Sequence, residues 1–129
     1  EGPAEKYGLP TLAQRLGKNL DNITIVSCNG KGKIPYYQLL CKAFNIPFFT
    51  LLDFDGRSAN YGGTKRPYDW ADPSARSSFT SNFESLLGIS TSTSHKTTDA
   101  LVAIDKLEVG DINIEIKDAL TAIESWNTI

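Results

Sequence analysis

Residues 47–56 read PFFTLLDFDG, and this stretch decides the fold class of the chain. Residues 47–53 are almost wholly apolar, as in a strand that is buried on both faces within a parallel sheet. Ahead of them, Pro35–Phe44 carries apolar side chains at helical spacing and predicts a helix. We expect the buried stripe of that helix to consist of Tyr36, Leu39, Leu40 and Ala43.

A second strand is predicted at Ile23–Cys28, a β-branched segment that runs into the glycine-rich loop 29–33. Strand, helix and strand within about thirty residues form one βαβ unit. The predicted fold is therefore α/β, with a small central parallel sheet flanked by helices. Because two strands make a thin sheet, we expect another strand ahead of Glu1, outside this sequence.

Proline positions, apolar periodicity and polar segments predict the remaining elements of the chain. Pro3–Leu16 is a predicted helix, and the internal Pro10 is expected to kink or split it. Two amphipathic helices are expected near the end of the chain, and a Ser/Thr-rich linker precedes them. The remaining predictions are a long surface loop at about 56–78, a short element within Phe79–Leu87, the linker at Ser90–Thr98, and the two helices at Thr98–Val109 and Ile112–Trp126.

Length, net charge and composition exclude several classes of protein. The 129 residues fit one domain, taken as a fragment of a longer protein. The net charge of −2 excludes a general nucleic-acid-coating role. No apolar run approaches the roughly 18–20 residues that span a bilayer, so no membrane partner is expected. The two cysteines, Cys28 and Cys41, are interpreted as core residues of a cytoplasmic protein rather than as a disulfide.

Two pairs of acidic residues carry the strongest chemical signal. Asp53 and Asp55 stand two apart at the carboxyl end of the buried strand, where α/β folds place their sites. Glu1 and Glu5 are four apart on the predicted first turn of a helix. Crowded carboxylates favour a hard divalent ion such as Mg²⁺ or Mn²⁺. The alternatives are an ordinary strand-ending turn for the first pair and a solvated helix face for the second.

Taken in order, three motifs resemble the TOPRIM domain of OLD-family (overcoming lysogenization defect) ATP-dependent endonucleases. They are EGPAE at 1–5, NGKGK at 29–33 and LLDFDG at 51–56. The segment FESLLG at 83–88 resembles a later motif of that family, and Lys96 best matches its downstream lysine. The resemblance extends to about Lys106 and implies a TOPRIM-like Rossmannoid domain whose opening glutamate follows a first strand.

The resemblance also implies a mechanism. Two Mg²⁺ or Mn²⁺ ions would serve phosphodiester hydrolysis, with one activating water and the other stabilising the leaving oxygen. Glu1, Asp53 and Lys96 would be catalytic, and Lys96 would neutralise charge at the reacting phosphate. The implied metal ligands are Glu1, Glu5, Asp53, Asp55 and Glu84.

DNA is the implied partner, and an ATPase domain precedes this segment in the family. Cations in the predicted loops are candidate DNA contacts, although a flexible solvated loop and aromatic side chains that only anchor the loop remain open alternatives. Homodimerisation through other regions is also left open. The candidate DNA contacts are Lys31, Lys33, Arg57, Lys65 and Arg66.

Two other functions are compatible with the motifs. LLDFDG also resembles the start of a haloacid-dehalogenase-type phosphatase, in which Asp53 would be the nucleophile. Against that assignment, Arg57 follows the glycine and 52 residues precede Asp53. The second alternative is a TOPRIM-like domain without catalysis, which binds a partner and keeps its carboxylates solvated.

Overall fold

The computed structural model describes residues 1–90 and 95–127. Six α-helices and two β-strands are found in these residues, joined by short 3-10 turns. In chain order they are α1 (Pro3–Arg15), α2 (Ile34–Ala43), β1 (Thr50–Asp53), α3 (Lys65–Trp70), β2 (Arg76–Phe79), α4 (Phe83–Leu86), α5 (Lys96–Lys106) and α6 (Ile114–Asn127).

The two strands form a parallel sheet. Thr50 pairs with Arg76 and Asp53 pairs with Phe79, and the crossover between the strands contains α3. Helices flank the sheet, so the predicted α/β class with a small parallel sheet is confirmed. Phe79 is completely buried. The sheet therefore directs the carboxyl ends of both strands to the same edge.

The predicted strand at Ile23–Cys28 is wrong, because this segment has no regular secondary structure. A β-branched sequence becomes a strand only where a neighbour accepts its backbone hydrogen bonds. Within the described residues β1 pairs with β2 alone, and the segment has no strand partner. Cys28 still points inward and is buried, which raises the pKa of its free thiol. Cys41, also free, is only half-buried.

The main core lies between α1, α5 and α6. Leu12, Ile116 and Leu120 are completely buried there. Helix α1 runs unbroken through Pro10, so the predicted split does not occur. The bounds of α5 and α6 confirm the two predicted C-terminal helices to within a few residues.

Helix α2 is correctly predicted, but its buried face is not. Leu39 and Leu40 are about half exposed, and Tyr36 and Ala43 are also on the surface. Gln38 is buried instead, because its Nε2 donates to Thr50 Oγ1 at 3.1 Å and to the Pro67 carbonyl at 2.8 Å. These two hydrogen bonds join the helix to β1 and α3 and fix its rotation. The inward residues of α2 are Ile34, Pro35 and Gln38.

The predicted long loop at 56–78 is also wrong, since it contains α3 and the first three of the four residues of β2. The composition of this segment shows little apolar periodicity and therefore predicted a loop. Its aromatic and cationic side chains instead pair with one another. The Arg76 guanidinium lies 3.7 Å from the Tyr68 ring centre and donates to the Tyr68 carbonyl at 3.0 Å. The short element expected within Phe79–Leu87 is confirmed as α4.

Part of the Ser90–Thr98 linker, residues 91–94, lies outside the described residues, and Lys96 already belongs to α5. None of the helices in the described residues is long and apolar enough to cross a bilayer.

Candidate metal centre

A cleft of about 540 Å³ opens at the carboxyl end of β1. The start of α1, the end of β1 with the turn after it, and the beginnings of α4 and α5 border it. The structure brings every predicted metal ligand and the predicted catalytic lysine into this one cleft. Those lining residues are Glu1, Glu5, Asp53, Asp55, Glu84 and Lys96.

Asp53 is the most deeply placed of these acids. It is the last residue of β1, and its position in the ladder opposite the buried Phe79 leaves it only 5% exposed. Burial raises the pKa of the Asp53 carboxyl to about 8, and the charges of Glu1, Glu5 and Asp55 add to the effect. Without a cation, this carboxyl is therefore mostly protonated at neutral pH.

Glu5 is held by the first turn of α1. Its Oε2 accepts a hydrogen bond from the Gly2 backbone N–H at 3.1 Å, and the side chain is buried. Burial raises the pKa of the Glu5 carboxyl, with a further contribution from the charge of Glu84. Glu1 lies ahead of the helix, which begins at Pro3, so the predicted shared helical turn does not exist. Both side chains nevertheless line the cleft, and Glu1 lies beside the Asp53 backbone at the end of β1.

The Glu1 carboxyl has an unmet bonding requirement. Its Oε2 is buried and has no hydrogen-bond partner in the described residues. Burial raises the pKa of this group as well, opposed by the positive charge of Lys31. A buried carboxylate oxygen that receives no hydrogen bond, and that lies beside other carboxyl groups, is suited to coordinate a hard divalent cation.

Asp55 reaches the cleft by a different route from the one predicted. Strand alternation would place it beside Asp53, but β1 ends at Asp53 and Asp55 adopts a left-handed backbone with φ of 54°. Its N–H donates to the Ser81 carbonyl at 2.8 Å. Its carboxylate forms an ion pair with the Lys31 ammonium group at 2.7 Å. The Lys31 side chain is only 14% exposed and also donates to Thr64 Oγ1 at 3.0 Å.

Glu84 and Lys96 form the outer rim. Glu84 is half-buried in α4, whose first turn is capped by Asn82, an acceptor for the Ser85 N–H at 2.9 Å. Lys96 is exposed at the start of α5. Among the polar residues of the cleft, sequence analysis missed Asn29, Asn82 and Thr97. The capping preference of asparagine before a helix was the available signal for Asn82.

The acids surround the cleft without forming a closed cage. Among the described residues, no group of three or more His, Cys, Asp or Glu side chains is arranged to hold a metal ion. One of these acids, Asp55, is paired with Lys31 through its Oδ2 atom.

The predicted DNA contacts fall into two groups. Lys31 lies against the acidic cleft, whereas the other four cations are exposed outside it. Of those four, Lys65 pairs with Asp69 at 2.6 Å. The guanidinium groups of Arg57 and Arg66 lie 4.0 Å from the Tyr61 ring centre and 5.3 Å from that of Trp70, respectively. Lys33 belongs to the exposed 3-10 turn ahead of α2.

Comparison with known proteins agrees with the motif analysis. Residues 1–55 match the family model described as "Overcoming lysogenization defect protein-like, TOPRIM domain". This segment contains four of the five acids that were singled out, namely Glu1, Glu5, Asp53 and Asp55. No curated protein and no solved structure is significantly similar to the chain.

Proposed function

We propose that this chain is the metal-dependent nuclease domain of an OLD-like protein, because residues 1–55 match the model of the TOPRIM domain of that family. A nuclease-type, metal-binding domain is what the family supports in general. Our finer proposal is hydrolysis of DNA phosphodiester bonds with two Mg²⁺ or Mn²⁺ ions. The convergence of acids distant in sequence, with Lys96, on one cleft supports it most directly.

The donor set determines which residues would hold the ions. Asp53 is buried, and the buried Oε2 of the half-exposed Glu1 has no donor in the described residues, so both would gain most from a cation. Glu5, Asp55 and Glu84 would complete an all-oxygen set of the kind that Mg²⁺ and Mn²⁺ prefer. Bound there, the ions would activate water and stabilise the leaving oxygen.

The protein's own groups have separate tasks. Asp53 would lose its proton when a cation binds, since a cation favours the ionised carboxyl. Lys96, exposed on the rim, would neutralise charge that develops on the reacting phosphate. Lys31 would hold Asp55 in place until a stronger cation competes for it.

Three further features belong to the same proposal. DNA would be the substrate, and an ATPase domain would precede this segment in the full-length protein. Dimerisation through other regions and a cytoplasmic location also remain proposals. The phosphatase alternative is disfavoured because the family match includes residues 51–55, which carry the shared motif.

Metal-dependent stabilisation tests the proposal first. Thermal unfolding is measured with increasing Mn²⁺ or Mg²⁺ for the chain and for the double variant Asp53→Ala, Asp55→Ala. We expect the melting temperature of the chain to rise with metal and that of the variant to stay constant. Asp118→Ala, at an exposed position in α6, is the matched control and should respond like the chain.

Cleavage is then assayed on DNA with the same proteins, alongside hydrolysis of a phosphate monoester. Metal-dependent nicking that Asp53→Ala abolishes supports the nuclease. Monoester hydrolysis with a trapped phosphoaspartate at Asp53 would favour the phosphatase. Absence of any metal-dependent stabilisation would leave the non-catalytic partner-binding domain.

A further inference from the structure

A second cavity, between α2 and α3, differs from the acidic cleft in composition. The geometry points to a binding site for an unpaired nucleotide of single-stranded DNA in this cavity, which we call the α2–α3 groove. The inference rests on the proposed function for the identity of the ligand. Its volume of about 530 Å³ is sufficient for one base with its sugar. Its principal lining residues are Gly32, Pro35, Tyr36, Leu39, Arg66 and Trp70.

Aromatic and apolar surface in the groove is exposed to solvent. Tyr36 is 72% exposed and Leu39 is half exposed, although both belong to a helix whose opposite face is fixed by buried Gln38. Trp70, at the end of α3, is half-buried. Two aromatic side chains on either side of a groove form the stacking platform that unpaired bases require. Stacking is tolerant of sequence, since every base has a π-face.

The charge at the groove suits a phosphate backbone. Arg66 lies over Trp70 at 5.3 Å and adds a cation to the stacking surface. The positive charge of Lys65 is balanced by Asp69, but Lys33 lies next to Gly32 in the 3-10 turn that borders the groove. Cations beside aromatic rings distinguish a nucleic-acid groove from a purely apolar protein-docking face.

Two glycine positions leave the walls of the groove open. No atom lies within 4 Å of the position of a Cβ at Gly32 or Gly63. The backbone at these positions is therefore accessible to a sugar or a phosphate at close range.

The groove and the acidic cleft share one wall. Lys31 points into the cleft towards Asp55, whereas its neighbour Gly32 lines the groove. On the facing side, Thr64 accepts a hydrogen bond from Lys31, and the preceding residue, Gly63, lines the groove. A DNA strand with its phosphate at the cleft would therefore find the groove directly beside it, and a fully paired duplex could not place a base there without unpairing.

Binding without metal tests this site separately from cleavage. Trp126→Phe leaves Trp70 as the sole tryptophan, since the chain has two. In EDTA, this protein is titrated with an oligothymidine of roughly a dozen nucleotides, the typical span of a single-strand site. We expect quenching of Trp70 fluorescence. The same oligonucleotide with abasic sites and a blunt duplex should each bind about 5- to 100-fold more weakly.

A matched pair of variants locates the site. Tyr36→Ala should weaken oligothymidine binding by about 5- to 100-fold. Phe44→Ala removes an equally exposed aromatic from the end of the same helix, outside the groove, and should leave binding within about twofold. No quenching, equal binding of duplex, or equal effects of the two variants would each overturn the inference. If the chain binds oligothymidine but is not stabilised by Mn²⁺, the result would count against the metal centre and not against this site.

Discussion

The Lys31 ammonium group lies 2.7 Å from the carboxylate of Asp55, one of the five acidic residues that line the cleft. Lys31 is largely shielded from solvent and also donates to Thr64, so the ammonium is held in place from two sides. A protein cation therefore compensates part of the charge that a divalent ion would compensate in the proposed metal centre. In that proposed centre, Lys31 and the metal would compete for the same carboxylate.

Replacing Lys31 with methionine should strengthen metal binding. Lys31→Met removes a positive charge and frees Asp55, and we expect the Kd for Mn²⁺ to fall by about three- to tenfold, equivalent to roughly 1 kcal/mol. Isothermal titration of the chain with Mn²⁺ measures this. Lys33→Met, two residues away and exposed, is the control and should change the Kd by less than about twofold. Weaker Mn²⁺ binding by Lys31→Met would show that Lys31 organises the acids rather than competing with the metal.

The pKa of Asp53 makes stability depend on pH. Folding raises the pKa of this carboxyl from 3.8 to about 8, so between these values the folded chain holds a proton that the unfolded chain releases. The free energy of unfolding of the metal-free protein should therefore fall as pH rises from about 4 to 8. Asp53→Asn removes the effect and should raise the melting temperature at pH 8 by several degrees, for roughly 1–3 kcal/mol, with little change near pH 4.

Unfolding curves in EDTA at several pH values test this expectation. Asp118→Asn, exposed on α6, should alter the melting temperature by no more than about a degree at each pH. Equal melting temperatures for the chain and Asp53→Asn at pH 8 would mean that Asp53 is ionised without cost. In saturating Mn²⁺ the order should reverse, because the metal favours the ionised carboxyl.

The motifs predicted which residues line the cleft better than they predicted how the backbone directs those side chains. Glu1 and Asp53 were correctly grouped, because order and spacing in the chain determine which strand and helix ends meet. The two local arguments for side-chain direction were wrong. Asp55 lies beyond the end of β1 in a left-handed turn, and Glu1 lies ahead of α1. Turn conformation depends on tertiary hydrogen bonds, such as that from the Asp55 N–H to the Ser81 carbonyl, which no periodicity reveals.

In the fold, too, the wrong predictions concern features that depend on tertiary contacts. The apolar stretch 47–53 was predicted as a strand, and its last four residues, Thr50–Asp53, form one. The buried face of α2 was wrong, since a polar residue, Gln38, is turned inward by hydrogen bonds to Thr50 and Pro67. The predicted strand at Ile23–Cys28 failed because pairing depends on a neighbour and is not a property of the segment itself.

Close packing of α1 against α5 depends on Gly8. A Cβ at this position would lie 2.7 Å from Ile104 Cδ1 and 3.3 Å from Phe83 Cζ. We expect Gly8→Ala to lower the free energy of unfolding by about 1 kcal/mol, because overpacking outweighs the better helix propensity of alanine. In an Ile104→Val background, which lacks that Cδ1, the same change should raise it by up to about 1 kcal/mol.

Urea unfolding of the four proteins in this double-mutant cycle measures the coupling. Gly110→Ala is the control, since no atom lies within 4 Å of the position of its Cβ. Additive effects of Gly8→Ala and Ile104→Val would show that the helices move apart to accept the methyl group.

Glu115 positions Asp55 from a distance. Its carboxylate accepts hydrogen bonds from the Thr80 N–H at 2.8 Å and from Thr80 Oγ1 at 3.0 Å. Thr80 in turn accepts from the Gly56 N–H at 2.7 Å, and its neighbour Ser81 accepts from the Asp55 N–H at 2.8 Å. Glu115 thus fixes the segment that holds the turn after β1.

Loss of this anchor should loosen the turn and weaken metal binding without removing a ligand. We expect Glu115→Ala to raise the Kd for Mn²⁺ by about two- to tenfold. This is less than the roughly 10- to 100-fold cost of removing a side chain that bonds a metal ligand directly, because Glu115 acts on Asp55 only through the 80–81 segment. Glu115→Gln removes the same charge but keeps an acceptor for the Thr80 N–H and a donor for its hydroxyl, so its Kd should stay close to that of the unaltered chain. Equal increases in Kd for both variants would mean that Glu115 acts through its charge. A lower melting temperature for Glu115→Ala with an unchanged Kd would show that it only supports the fold.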